Sequence, residues 1–281
     1  MNYRQIINLG TSILKNNFIK TASLDAELLL SNSLKLSRDK ILLNLENEIN
    51  PKEEAGYLKL INRRKKREPV SHITRQRYFW KNEFYINKNV LTPRFETELL
   101  VEEILKLYKK YEKIRLLDIG TGTGCILISL LKEKNQWRGT GVDISKLALK
   151  TAKINAKMQQ VANRIKFINS DIDNLSFCKY DLIVSNPPYI NNVGYNNLDL
   201  DVKGYEPKKA LCGGIDGLKV IKKVVKKSKF VLKNNGFLAL EIGHGQFFQV
   251  KKLLIENGFY IFKIVKDYQK IKRCFIAQKI R

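Results

Sequence analysis

Apolar residues recur at helical spacing through the first 68 positions. Ile6, Ile7, Leu9, Gly10, Ile13 and Leu14 share one face, and Ala26, Leu28 to Leu30 and Leu34 share another. Ser23, at the head of Ser-Leu-Asp-Ala-Glu27, carries an oxygen able to accept from the first free N–H groups of a helix, so it is the expected cap. A last helix spans Lys52 to Arg67 and stops before Pro69, because the proline ring disfavours helical geometry in the residue preceding it. No catalytic constellation occurs in this part, which predicts a helical substrate-recognition domain over residues 1–68. The pattern then changes. Tyr78-Phe79-Trp80 and Phe84-Tyr85-Ile86 are separated by Lys81-Asn82-Glu83, which predicts a β-hairpin within a linker over 69–95. Pro93 opens a helix expected from Glu96 to about Glu112. Arg94, Glu96 and Glu98 near its start read as capping or solvated charges, with a place facing the active cleft as the alternative.

From Ile114 short apolar runs alternate with helical stretches. Strands are expected near 115–119, 139–143, 164–169, 181–185 and 236–242, with helices over about 216–233 and 246–257. Two further strands, Phe259 to Val265 and Ile271 to Gln278, flank a polar turn too short for a crossover, so they form an antiparallel pair. The fold class that follows is α/β. A doubly wound seven-stranded sheet over residues 96–281 ends in an antiparallel C-terminal hairpin, with the small helical domain joined to it by the β-hairpin. The stretch Ile190 to Gly214 is a candidate lid.

Chemistry enters at two strand ends. Arg115-Leu-Leu-Asp118-Ile-Gly120-Thr121-Gly122-Thr123-Gly124 runs from a strand into a turn whose glycines permit positive φ and close approach of a ligand to the backbone. A dinucleotide fingerprint would place its third glycine at Cys125, so a pyrophosphate cradle is disfavoured. Asp143 ends the next strand, about 20 residues on, where an acidic side chain binds ribose hydroxyls; a helix cap before Ser145 is the competing reading. Asp171 and Ile172, after the third strand, would flank an adenine, although a surface turn uses the same residues.

Asn186-Pro187-Pro188-Tyr189 follows the apolar Leu182-Ile183-Val184. A planar amide NH2 shares its lone pair with its π system and attacks poorly unless its protons are held. The Asn186 side-chain oxygen and the Pro187 carbonyl can each accept one N–H, and the prolines stiffen the turn that carries them. Tyr189 can cover the planar group by stacking. A plain sharp loop is the alternative for the same four residues. Read for chemistry, the turn points to N-methylation of an amide or aromatic amine.

Composition modifies this picture in one respect. The 281 residues carry a formal charge of +25, ordinarily a sign of nucleic-acid binding. Lys, Ile and Asn abound while Arg and Ala are sparse, so compositional drift explains much of the excess. Lys222, Lys223, Lys226, Lys227 and Lys229 lie at helical spacing and read as a solvated face. Arg63-Arg64-Lys65-Lys66-Arg67 stands at the domain junction, where docking of an acidic or RNA surface and simple solvation both stay open. The hydrophobic fraction of 44% suits a globular protein, and neither a leader-like start nor a run of membrane-spanning length is read. Cys125, Cys178, Cys212 and Cys274 lack pairwise spacing, and His72 and His244 lack ligand spacing, so no metal site is expected.

The combination of Asp118 to Gly124, Gly141-Val-Asp143, Ser185 to Ile190 and Gly236-Phe-Leu-Ala-Leu-Glu-Ile-Gly243 resembles the class I S-adenosylmethionine-dependent methyltransferases. Arg67 to Thr74, Leu91 to Glu98 and Tyr205-Glu-Pro207 through Leu218 make it more narrowly similar to the bacterial release factor glutamine methyltransferases, the HemK/PrmC family. The resemblance spans roughly residues 60–281. It implies S-adenosylmethionine as cofactor, with Gly120, Thr121, Gly122, Thr123 and Gly124 at its methionine end, Asp143 at the ribose and Asp171-Ile172 at the adenine. Asn186, Pro187, Pro188 and Tyr189 would hold the substrate, the glutamine of the Gly-Gly-Gln tip of peptide chain release factors, with Asn186 also beside the cofactor. It further implies a cytoplasmic monomer. Arg75, Phe95 and Cys212 depart from the family pattern and bear on the hinge and on docking. Two other readings stay open: an N6-adenine methyltransferase of DNA or RNA, and a noncatalytic RNA- or ribosome-associated protein on the same fold.

Overall fold

The computed structural model describes residues 1–175 and 179–280, so Cys178 lies outside the described residues. The chain divides into two compact units. One comprises Met1–Gln76 together with Asp199–Tyr205, and the other Arg77–Leu198 with Glu206–Arg281.

The first unit contains α1 (Tyr3–Lys15), α2 (Ala22–Leu34), α3 (Arg38–Leu43), α4 (Pro51–Lys65) and α5 (Val70–Thr74). Asn2 and Asn50 begin α1 and α4 with reciprocal side-chain bonds to Gln5 and Glu53, which satisfy N–H groups that a helix start leaves open. The cap of α2 differs from expectation. Helix geometry begins at Ala22, one residue before Ser23, so Thr21 takes the cap position; its hydroxyl donates to Asp25 in the first turn at 2.9 Å, while Ser23 bonds Glu27. Ile6, Leu14, Ala26, Leu29, Leu30, Tyr57 and Ile61 form the core. Gly10 lets α1 approach Tyr57, whose hydroxyl would lie 2.0 Å from any Cβ there. Gly10→Ala gains about 1 kcal/mol of helix propensity but overpacks a buried ring at about 1–3 kcal/mol. A net loss of stability, read as a lower urea midpoint, is the expected outcome.

The junctional arginines are turned to internal bonding. Arg64 is 6% exposed, and its Nε donates to Asp25 at 2.7 Å while Nη1 donates to Asp201 at 2.6 Å. Arg63 holds Glu68 through two bonds, Arg67 donates to the Asn17 carbonyl, and the Tyr205 hydroxyl donates to the Lys66 carbonyl.

A hairpin of β1 (Gln76–Phe79) and β2 (Asn82–Tyr85) follows, and all of it after Gln76 belongs to the second unit. A turn at Phe95–Thr97 precedes α6 (Glu98–Leu107), which ends earlier than the expected Glu112 because Tyr108 leaves the helix to donate to the Asp181 carbonyl at 2.8 Å. There follow β3 (Arg115–Ile119), α7 (Cys125–Glu133), β4 (Arg138–Asp143), α8 (Lys146–Met158), β5 (Ile165–Asn169) and β6 (Tyr180–Ser185). Then come three short helices, α9 (Asn192–Asn196), α10 (Leu200–Lys203, within the first unit) and α11 (Lys208–Leu211). The chain finishes with α12 (Lys219–Val231), β7 (Leu232–Glu241), α13 (Phe247–Glu256), β8 (Phe259–Lys266) and β9 (Lys272–Lys279).

The seven strands order as β5-β4-β3-β6-β7-β9-β8, parallel except that β9 runs antiparallel to both β7 and β8. Alternate residues explain the layers. Leu116, Leu182, Val184 and Ala239 face one core with α6, α7 and α8, whereas Leu117, Ile183, Leu238 and Leu240 face the other with α12 and α13. Strand order reverses between β3 and β6, and open α/β sheets bind ligands in the crevice at the C-terminal ends of such a pair. β7 begins four residues before the expected 236, and its pairing with β6 shifts register between Leu232 and Phe237, where Asn235 adopts positive φ.

Candidate active site

Three loops meet at the β3/β6 reversal. After β3 the glycines Gly120, Gly122 and Gly124 have φ of +74°, +54° and +80°, a region that favours glycine. The N–H groups of Gly120 and Thr121 donate to the Val142 carbonyl at 2.9 and 3.0 Å, and that of Gly122 donates to Asp143 Oδ2 at 3.0 Å. Asp143 also accepts from Ser145 N–H at 2.8 Å through Oδ1, so it locks the first glycine turn to the start of α8, whose cap is Ser145. Asn155 of α8 is fully buried and donates to the Thr123 and Tyr85 carbonyls, tying the glycine turn to the hairpin.

A cavity of about 560 Å³ opens at this point. Its wall includes Gly120, Gly122, Asp143, Asp171, Ile172 and Asn186, and it also includes Pro187 and Pro188. A Cβ added at Gly120 would meet nothing within 4 Å, and one at Gly122 only the Gly120 carbonyl at 3.9 Å, so space for a ligand lies directly against this backbone. The volume falls in the range of small-molecule sites, roughly 300–1,000 Å³. Asp171 is kept ionised by the Asp173 N–H and by Lys223, whose ammonium lies 3.2 Å from its carboxylate.

The remaining members of the sequence-derived set have other surroundings. Thr121 and Thr123 are buried beneath the turn, where Thr121 donates to Asp118 at 2.6 Å and Thr123 accepts from Cys125 N–H at 3.3 Å. Gly124 caps α7, and a Cβ there would lie 2.8 Å from Ile128. Tyr189 is not part of the cavity wall; it packs against the core beneath α12 and α13, and its hydroxyl donates to Glu241 at 3.3 Å.

The Asn186 turn is fixed from several sides. Ser185 donates to the Ile119 carbonyl at 2.7 Å, joining the ends of β3 and β6. Asn186 Nδ2 donates to the Thr97 hydroxyl at 3.0 Å. Gln246 accepts from Gly243 N–H and donates to the Tyr189 carbonyl, each at 2.9 Å. Gly213 passes so close that a Cβ would stand 2.6 Å from the Pro188 carbonyl. The base of the expected lid is pinned by backbone bonds from Ile190 to Leu211, from Gly213 to Ile190 and from Asn192 to Gly214.

Two of the three departures from the family pattern have contacts here. Phe95 lies under the Arg77 guanidinium at 4.5 Å, and the Cys212 thiol donates to Asn192 at 3.2 Å. Arg94, expected as a solvated charge, instead pairs at 2.6 Å with Glu206, a buried carboxylate. Glu98 accepts from the Trp80 N–H at 2.8 Å.

Pattern reading gave no role to Thr97, Glu241 or Gln246. Glu241 left a visible signal, an acidic residue closing the apolar run Leu238-Ala239-Leu240, which has no reason to be there for packing alone. Asp118 is similar. Burial pushes both carboxyls up to about 7, and each has one oxygen without a partner among the described residues. Unfolded carboxyls titrate near 4, so between about pH 4 and 7 the folded protein holds protons that the unfolded chain has lost. These two groups therefore favour folding at acidic pH and lose that contribution as pH rises through 7. Asp118→Asn is expected to flatten this part of the stability profile between pH 5 and 8, measured as urea midpoints.

Residues 5–74 match the family model described as the PrmC N-terminal domain, and residues 95–199 the methyltransferase small domain. The release factor glutamine methyltransferase of Fusobacterium nucleatum is 38% identical over 277 residues, covering 98% of this chain and 78% of that protein. The corresponding protein of Caulobacter vibrioides is 36% identical over 267 residues, covering 95% and 92%. A crystal structure of ribosomal protein L11 methylase from Lactobacillus delbrueckii subsp. bulgaricus shares the fold with a TM-score of 0.52 at 17% identity, covering 72% of this chain and 90% of that one. Identity at this level across almost the whole sequence, on a methyltransferase fold, places the chain in the release factor glutamine methyltransferase family.

Proposed function

We propose that the protein methylates the side-chain amide nitrogen (N5) of the glutamine in the Gly-Gly-Gln motif of peptide chain release factors, using S-adenosylmethionine. The observation that carries this reading is the Asn186-Pro187 turn in the wall of the same cavity as the Gly120–Gly122 backbone and Asp143. When bound, S-adenosylmethionine would supply a sulfonium methyl, which a localised nitrogen lone pair would attack in line while the carbon–sulfur bond breaks and the neutral thioether leaves.

The chain's own residues do the rest. Gly120 and Gly122 offer a backbone without side chains for the methionine end, Asp143 accepts from ribose hydroxyls, and Asp171 with Ile172 borders the adenine. Asn186 Oδ1 and the Pro187 carbonyl each accept one N–H of the substrate amide, which holds the nitrogen and frees its lone pair from the carbonyl. Pro188 keeps the turn extended. Tyr189 supports the turn from below through Glu241 instead of stacking on the substrate. No strong base is needed, because the nitrogen becomes acidic on methylation and loses its proton to water or to a carbonyl.

The helical unit serves substrate recognition in this reading, the working form is a cytoplasmic monomer, and any RNA contact through the basic surface is incidental. The test is transfer of labelled methyl to purified release factor, to the factor with its Gly-Gly-Gln glutamine changed to alanine, and to duplex DNA. Label on the intact factor alone is expected. Label on DNA would replace this reading with adenine methylation.

A further inference from the structure

An asparagine side chain has two faces of opposite polarity, and only one serves the chemistry. If the Asn186 amide were turned over, its NH2 would confront the substrate NH2, donor against donor. What selects the productive orientation lies behind Asn186, away from the cavity. Asn186 Nδ2 donates to Thr97 Oγ1 at 3.0 Å, and Thr97 is only 2% exposed, so water does not compete for this bond. A hydroxyl has one proton to give. The Thr97 hydroxyl neighbours the carboxyl of Glu241, itself 2% exposed. Glu241 Oε1 already receives the Tyr189 hydroxyl, and Oε2 has no partner among the described residues. Above its titration near 7 the Glu241 carboxyl is ionised and can only accept, so the Thr97 proton turns toward it and leaves Thr97 with lone pairs to offer to Asn186.

We propose that Thr97 is a positioning residue, its hydroxyl polarised by Glu241, that fixes the Asn186 amide with Oδ1 facing the cavity. This rests on the reading of Asn186 as the amide-holding group. It differs from a packing role in what it requires of the side chain: a hydroxyl, with its proton drawn away from Asn186. Serine meets that requirement and valine does not, although valine matches threonine in shape. At Glu241, glutamine keeps the shape but adds an NH2 that can donate to Thr97, which releases the hydroxyl proton toward Asn186 and permits the reversed amide.

The experiment compares the native enzyme with Thr97→Val, Thr97→Ser and Glu241→Gln in release-factor methylation above the titration of Glu241 near 7, where its carboxyl is ionised. It also follows solvent exchange of the Asn186 side-chain NH2 by 15N NMR. Thr97→Val is expected to lower kcat by about 10- to 100-fold with KM and cofactor Kd within about threefold, and to speed NH2 exchange. Thr97→Ser is expected to restore both, and Glu241→Gln to lower kcat without weakening cofactor binding. Native kcat in Thr97→Val, equal losses in the valine and serine variants, or unchanged NH2 exchange would each overturn the proposal. The native arm tests the substrate reading separately, since absence of label there would reject that reading while the exchange measurement still decides the orientation.

Discussion

Asn186→Ala is expected to lower kcat for release-factor methylation by roughly 10²–10³-fold, the usual cost of removing one preorganised polar group from a reacting centre. The effect should fall on kcat, because the lost acceptor matters most as the nitrogen gives up conjugation. Cofactor affinity should change little, since the Gly120 and Gly122 backbone and Asp143 are untouched by the substitution. Single-turnover methyl transfer and calorimetric titration of S-adenosylmethionine separate the two. Asn186→Asp sharpens the test: the carboxylate keeps acceptors but cannot donate, so the Nδ2 donation to Thr97 seen at 3.0 Å is lost and the contact survives only if the hydroxyl turns to donate. Native turnover in Asn186→Ala, which loses the acceptor, would remove Asn186 from the mechanism.

The second large effect is structural. Arg64→Leu removes the cation between Asp25 and Asp201, whose side chains are 8% and 26% exposed. Removing one partner of a buried ion pair typically costs about 3–5 kcal/mol, because the remaining charge is left without compensation. Arg64→Lys should recover little of it. A single ammonium cannot reproduce a fork that reaches Asp25 through Nε and both Asp201 and the Glu68 carbonyl through Nη1. Adding Asp25→Asn to the leucine variant should recover part of the loss by removing the stranded charge. Urea midpoints for the single and double variants measure this directly.

Much of the fold was legible from period alone, because β3, β6 and β7 carry apolar residues in runs that only a sheet covered on both faces accommodates. The glycine turn was legible for a related reason: three glycines in five residues after a strand have few explanations besides backbone geometry. Boundaries were less so. Tyr108 ends α6 through a bond to a carbonyl 73 residues away, and local sequence carries no trace of that partner. The support of Asn186 escaped for the same reason, since Thr97 and Asn186 are 89 residues apart and an isolated threonine resembles any other. Charge misled most. A run of five basic residues suggests a surface, yet Arg64 is among the most buried polar residues of the helical unit, and only the placement of Asp25 and Asp201 explains why.

Asp201 lies 137 positions after Arg64 and folds with the helices. During synthesis the first 76 residues emerge long before this partner does, so the nascent helical bundle waits for most of the chain before its ion cluster can close. The order of assembly is thus set by the ribosome: the opening helices can collapse around Leu29, Leu30 and Tyr57 early, but they reach full stability only once residues 199–205 have been made. A fragment ending at Gln76 would stay in that waiting state permanently, and the helical unit is better understood as a discontinuous domain completed late than as a module that could be cut away or transplanted.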